Sequence, residues 1–257
     1  MGRAVVAALN GADREVVATS RSGETPLDVE DARAVATLLD DVRPEVVVYL
    51  VGPGADADDA AGDRATRIFA DFVESAGRSC VRRIVFTSSA SVYGRDRVGD
   101  VTAPATPYAR HKLACEGTLQ DAAASGGMST ASLRLFNVYG PALDRSLINR
   151  ILSGSAPTVW ASGVFVRDYV HASDAARAIL LAADGESFGA DVADVGTGRG
   201  VSNRDLIRLA PSGAVVADPS PIAPTRVVAD PHTAEALWGF RTRVRLEEAF
   251  AAPSRYL

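Results

Sequence analysis

Short runs of β-branched and apolar residues alternate along this chain with longer stretches of helical character, and that alternation restricts the fold most. Residues 45–51 (EVVVYLV), 83–87 and 132–136 are strand-like, as is 15–20. Helices are expected over 3–9, 29–40, 63–76 and 107–124, the last with Pro107 near its start, where a missing N–H costs little. Apolar strands bounded by turns, with helices between them, predict a parallel sheet buried on both faces. The expected fold class is α/β, a doubly wound parallel sheet. Beyond Tyr139 proline and glycine become more frequent, and expected helices at 173–183 and 203–209 are separated by loops. A smaller C-terminal lobe is expected there.

Composition removes several classes of function. The 257 residues are 47% hydrophobic and 23% charged, with a net charge of -5 and no basic cluster, which argues against nucleic acid as a partner. No apolar run approaches the roughly 18 to 20 residues of a membrane span, and the N-terminus lacks a signal-peptide cleavage pattern, so a cytoplasmic location is expected. Cys80 and Cys115 follow no metal-ligand spacing and make no disulfide framework; reduced thiols and no metal are expected. The segment 52–62 (GPGADADDAAG) is acidic and has the composition of a flexible loop.

Of 27 basic residues only one, Lys112, is a lysine. Arginine serves equally for surface charge. Lysine differs where a compact ammonium with rotatable donors is required, because a guanidinium is a rigid planar fork. In Tyr108-Ala-Arg-His-Lys112 the i, i+4 spacing puts the phenol and the ammonium on one helical face. A free phenol has a pKa of about 10. A nearby ammonium is expected to lower it and make proton exchange with a substrate oxygen feasible.

Three segments fall in order: Thr87-Ser88-Ser89-Ala90-Ser91-Val92-Tyr93-Gly94, then Pro107-Tyr108-Ala109-Arg110-His111-Lys112, then Leu133-Arg134-Leu135-Phe136-Asn137-Val138-Tyr139-Gly140-Pro141. Arg167-Asp168-Tyr169-Val170-His171 and Asp194-Val195-Gly196-Thr197-Gly198 follow. Together they resemble the extended short-chain dehydrogenase/reductase superfamily, in its NAD-dependent epimerase/dehydratase group, which works on nucleotide sugars. The resemblance implies a Rossmann-type dinucleotide-binding domain over residues 1–140. Residues 141–257 would be mainly a substrate-binding lobe, with some segments returning to the sheet. It makes Tyr108 the proton donor and Lys112 the group that tunes it and holds the nicotinamide ribose. Ser89 would hydrogen-bond the substrate oxygen, and Thr87 would lie beside the cofactor. Asn137 would line the sugar-nucleotide site and Arg167 reach the diphosphate; the competing readings are a turn asparagine and a surface ion pair of Arg167 with Asp168. His171 is expected to be a packed or capping residue. For Tyr93 a pocket wall and simple packing both stay open.

The N-terminus departs from the family pattern. Such sheets open with strand, glycine-rich turn and helix. Here Gly2 would be the last glycine of that turn, with the first strand and two glycines absent, and Met1 either an internal methionine, a cut, or the start of a genuinely truncated protein. Weak dinucleotide binding, and a loss of ladder partners for 15–20 and 45–51, are expected. After residues 15–20 the family usually has a carboxylate for the adenosine ribose, whereas this chain has Ser20, Arg21 and Ser22, suited to a 2′-phosphate. NADP(H) is therefore expected over NAD. Asp28 and Val29 match the adenine-binding pair, Leu50, Val51 and Gly52 replace a small Ala-Ala pair, and Asp63 replaces a helix asparagine. The expected activity is NADPH-dependent reduction of the C4 keto group of a nucleotide-activated, dTDP-type 4-keto-6-deoxyhexose in deoxysugar biosynthesis. The alternatives are an NAD-dependent 4-epimerase of the UDP-glucose type and a non-catalytic dinucleotide-binding member. A nucleotide sugar is the expected partner, with a homodimer possible.

Overall fold

The computed structural model describes residues 1–10 and 15–256. Helix α1 (Gly2–Asn10) opens the chain. The strand expected over 15–20 shrinks to β1 (Thr19–Ser20), which pairs only with β2 (Thr25–Pro26). The physical reason is pairing: a strand needs ladder partners for its N–H and C=O groups, and the main sheet offers residues 15–18 none. Helix α2 (Ala32–Val42) starts later than expected, because the Asp31 side chain caps it by accepting from the N–H groups of Arg33 and Ala34.

Strand β3 (Val46–Tyr49) leads to α3 (Asp59–Gly77), which begins inside the stretch expected to be a loop. Asp58 accepts from Ala61 N–H there, so the acidic composition supplies a helix cap. Strand β4 (Arg83–Ser89) runs into a 3₁₀ turn (Ala90–Tyr93), and α4 (Pro107–Ala124) follows, capped by Thr106 with Pro107 in its first turn. Strand β5 (Ser129–Leu135) and, much later in sequence, β10 complete the main sheet. Between them come β6 (Asn137–Tyr139), α5 (Leu147–Leu152), β7 (Thr158–Trp160), β8 (Phe165–Arg167), β9 (Tyr169–His171) and α6 (Ala172–Ala183); β10 itself is Ala190–Val195. The chain ends through β11 (Val201–Ser202), α7 (Asn203–Leu209), β12 (Val216–Asp218), β13 (Thr225–Val227), α8 (His232–Trp238), α9 (Leu246–Ala251) and α10 (Pro253–Tyr256).

The main sheet is parallel throughout, in the order β10-β5-β4-β3, with helices on both faces, a Rossmann-type α/β arrangement. Alternation along β4 decides which face each residue serves. Ile84 and Phe86 join Val35, Leu39, Tyr49, Phe69, Phe72 and Leu119 under α2, α3 and α4. Val85 points the other way, into the cluster of Val5, Ile179, Val195 and Trp238 under α1, α6 and α8. The remaining strands are two or three residues long, too short for apolar alternation to fix their register. Buried aspartates hold the loops beside them instead. Asp168, fully buried, accepts from the N–H groups of Thr197, Gly198 and Ala229, and Asp174 from those of Arg243 and Val244.

Candidate active site

The C-terminal end of β4 meets the first turns of α4, and there the expected catalytic trio comes together. Ser89 is the last residue of β4 and caps the 3₁₀ turn, its hydroxyl accepting from Ser91 N–H at 3.2 Å. The turn then reverses at Gly94, whose φ of 73° and close approach to the Ala103 carbonyl leave no room for a side chain. The Ser89 hydroxyl faces the Tyr108 phenol and favours its ionised form, but burial is the larger influence and holds Tyr108 above the ordinary phenol value. This corrects the expectation that the ammonium lowers the phenol. The Lys112 nitrogen lies 5.7 Å from the Tyr108 ring centre, and Tyr108 rests in the protonated, donating form.

Lys112 is 4% exposed. Burial pushes its pKa down to about 8, against the opposing charge of the Glu116 carboxylate. Its nitrogen donates to the Thr87 carbonyl at 2.8 Å and sits 4.6 Å from the Phe86 ring centre. An ammonium carries three donors, and among the described residues this is its one hydrogen bond. The backbone of Gly52 passes directly over it: a Cβ there would stand 3.2 Å from the nitrogen. Spare buried donors beneath a bare backbone fit the paired hydroxyls of a ribose. Thr87 thus enters the site through its carbonyl and Gly52 through its backbone, whereas Leu50 packs against the Val85 cluster on the other face of the sheet and Val51 is 46% exposed.

His111, one residue before Lys112, is a site neighbour that sequence reasoning passed over. The Thr66 hydroxyl donates to the Gly62 carbonyl, so it accepts from His111 Nδ1 at 3.0 Å. Burial, with the Lys112 charge behind it, lowers His111 to about 4. The buried face of α4 therefore holds His111, Lys112 and Glu116 where an ordinary amphipathic helix would bury leucines.

The other expected residues are spread more widely. Asn137, exposed at the start of β6, donates from its side chain to the Asp168 carbonyl at 2.8 Å. Arg167, half-buried, donates to the Val166 carbonyl and the Thr225 hydroxyl and stacks 4.1 Å over Phe165. The alternative surface pair with Asp168 is overturned, because that carboxylate turns inward. His171 caps α6 by accepting from Ser173 N–H, as a packed, capping residue should. Tyr93 is no pocket wall: it is 2% exposed, with its hydroxyl held between Arg134 and Asp194. Ser20, Arg21 and Ser22 form an exposed turn at β1, and Asp28 is exposed too, accepting from Glu30 N–H, with Val29 half-buried. Gly2 is exposed at the first position of α1, and a Cβ there would touch nothing, so packing does not demand a glycine. Among the described residues no group of three or more His, Cys, Asp or Glu could hold a metal ion, and no helix is long and apolar enough to cross a membrane.

Comparison with known proteins agrees with this fold. The UDP-glucose 4-epimerase of Bacillus subtilis is 28% identical over 275 residues, covering 89% of this chain and 80% of that protein. That of Azospirillum brasilense is 33% identical over 51% of this chain, and the match spans about half of the relative's own length (46%). Among solved structures, MoeE5 in complex with UDP-glucose and NAD superposes with a TM-score of 0.85 at 27% identity, over 97% of this chain and 92% of that one. The model of the NAD dependent epimerase/dehydratase family matches residues 1–196, and the chain belongs to that family.

Proposed function

We propose that this protein exchanges hydride and proton at C4 of a nucleotide-activated hexose, with Tyr108 as the proton carrier. The observation that carries the reading is the meeting of Ser89, Tyr108 and Lys112 at one strand end, with the phenol protonated and the ammonium buried and under-bonded. Ser89 and Tyr108 hydrogen-bond the C4 oxygen from one side and fix its distance from the phenolic proton. Lys112 holds the ribose hydroxyls from below; its charge does not outweigh burial in the resting phenol, but it lies near enough to offset part of the negative charge as the proton leaves. A bound nicotinamide dinucleotide would accept or supply the hydride. Arg167 and Asn137 would orient the sugar nucleotide from the lobe, the forked donors of the arginine suiting a diphosphate.

Two outcomes of this chemistry are distinguished by what happens to the cofactor. The relatives support 4-epimerisation, in which the hydride returns to the same carbon and NAD is retained; MoeE5 was solved with UDP-glucose and NAD. A specific observation favours net reduction of a 4-keto sugar with NADPH: the exposed turn at the end of β1 carries Ser20, Arg21 and Ser22, where a carboxylate would otherwise read the ribose. Incubation with UDP-glucose and NAD, followed for UDP-galactose, tests the first. Oxidation of NADPH by a dTDP-4-keto-6-deoxyhexose tests the second. A protein that does neither, with Tyr108 and Lys112 intact, refutes the proposed chemistry and leaves the non-catalytic dinucleotide-binding reading.

A further inference from the structure

Three neighbouring strands of the main sheet carry a polar residue at the same level. Ser88 is the register partner of Arg134, and Arg134 of Asp194; each is the penultimate residue of its strand, and each is buried. Such a row inside apolar strands is tolerated only if its groups find partners. Glu116, 2% exposed on α4, accepts from the Ser88 hydroxyl at 2.5 Å and takes Arg134 in a two-pronged grip, Nε to Oε1 at 3.0 Å and Nη2 to Oε2 at 2.7 Å. Arg134 Nη1 donates to the Tyr93 oxygen at 3.0 Å, and the Tyr93 hydroxyl donates to Asp194 Oδ1 at 2.6 Å. Asp194 also meets Arg97 at 2.8 Å and accepts from Asp230 N–H at 3.0 Å. The chain of contacts runs from the catalytic strand end to the C-terminal lobe.

Glu116 stands one helical turn beyond Lys112, on the same buried face. The groups around Lys112 among the described residues can be named. On its own helix they are Tyr108, His111, Cys115 and Glu116. From β4 come the Phe86 ring and the Thr87 carbonyl, from the loop after β3 the Gly52 backbone, and from β5 Arg134, behind Glu116. Burial pushes Cys115 up to about 12 and His111 down to about 4, so both are neutral where Lys112 titrates. Tyr108 is a protonated phenol. Glu116 is the anion of the set.

We propose that Glu116, clamped by Arg134 and Ser88, is a positioning residue of this site: its carboxylate keeps the Lys112 ammonium charged and ties the catalytic helix to the strand end bearing Ser89. The kinetic consequence rests on the C4 reading given above. The electrostatic one does not, and the sequence supplies its own probe, since Lys112 is the single lysine. Protein grown on ε-¹³C-lysine gives one side-chain resonance whose titration belongs to Lys112 alone. In the parent the midpoint is expected at about 8. In Glu116→Gln it should fall by about one pH unit, because Arg134 then faces Lys112 uncompensated, and Glu116→Asp should restore part of the shift. Ser88→Ala should leave the midpoint in place. With substrate, Glu116→Gln should lower kcat about tenfold or more while KM stays within about twofold, and its alkaline limb should move with the resonance. An unmoved midpoint in folded Glu116→Gln overturns the proposal even if the protein turns over no nucleotide sugar. Conversely, a shifted midpoint without turnover upholds the electrostatic role and refutes the C4 reading. If Glu116→Gln does not fold, Glu116→Asp decides: its shorter arm withdraws the charge, and an unmoved midpoint again overturns the proposal.

Discussion

Strand β4 is hydrogen-bonded on both sides and delivers Ser89 into the site, whereas β1 is two exposed residues paired only with β2. Between them β3 has a partner on one side only among the described residues. The half that carries Ser89, Tyr108 and Lys112 is thus over-determined: each of the three is fixed by burial, a cap or a hydrogen bond to the sheet. The half expected to cradle the dinucleotide presents Gly2, Arg21 and Asp28 to solvent without packing constraints. The chemistry can be argued from rigid geometry. The side chains expected to choose the cofactor are exposed, although Asp28 accepts from Glu30 N–H.

The largest expected effects test the rigid half. Tyr108→Phe deletes the proton carrier and should lower turnover by about 10²- to 10⁴-fold with nucleotide binding retained. Lys112→Arg should abolish turnover in a folded protein, because a planar fork does not fit beneath Gly52. Near-parental rates in either variant would erase the contrast between the halves. In the parent, turnover should decline as pH rises through about 8, where Lys112 loses its proton.

Next comes the exposed half. If Arg21 reads a 2′-phosphate, Arg21→Ala should weaken NADPH by about 10- to 150-fold, the worth of a charge-assisted contact of roughly 1.5 to 3 kcal/mol, and leave NADH alone. Titrations of both cofactors against both proteins measure this. Equal affinity for the two in the parent removes the assignment and leaves the epimerase reading as the stronger.

His111 offers a smaller effect, on stability. Its pKa is depressed in the folded state, so as pH falls below 6.5 the unfolded chain takes up the proton first. Stability is therefore lost between pH 6.5 and about 4, by roughly 2 kcal/mol at pH 5 if the full shift applies. Denaturant melts at pH 7 and pH 5 should show His111→Gln losing less on acidification than the parent. An identical loss would mean that His111 is not held neutral by its burial. The smallest effect is expected at Val17, beside β1 and 44% exposed: Val17→Ser should cost under about 0.5 kcal/mol. A loss of several kcal/mol would show that residues 15–18 belong to a packed strand after all, and the contrast between the halves would fail.

The legible parts of the sequence were those whose signal is local. Helix α4, its Pro107 start, and the Tyr108 to Lys112 spacing depend on neighbours within a turn or two. The apolar strands announced a sheet buried on both faces. What escaped depends on register between distant segments. Nothing local to Ser88, Arg134 or Asp194 says that they share one level of the sheet, although each is a polar residue in an apolar strand, and that incongruity was the available signal. The strand expected at 15–20 looked sound locally and failed for want of a partner. Asp168 looked like half of a surface pair because Arg167 precedes it, yet its true partners are backbone N–H groups 29 to 61 residues further on.

The burial of the single lysine also bears on how often this site opens. The surface carries guanidinium groups but no lysine amine, so an amine-selective acylating reagent meets only the chain terminus and Lys112. At 4% exposure Lys112 is shielded from such a reagent and reacts through local opening. The rate at which it is acylated is then a clock for local opening, readable by mass. A dinucleotide seated on Lys112 would slow that clock without any turnover being measured.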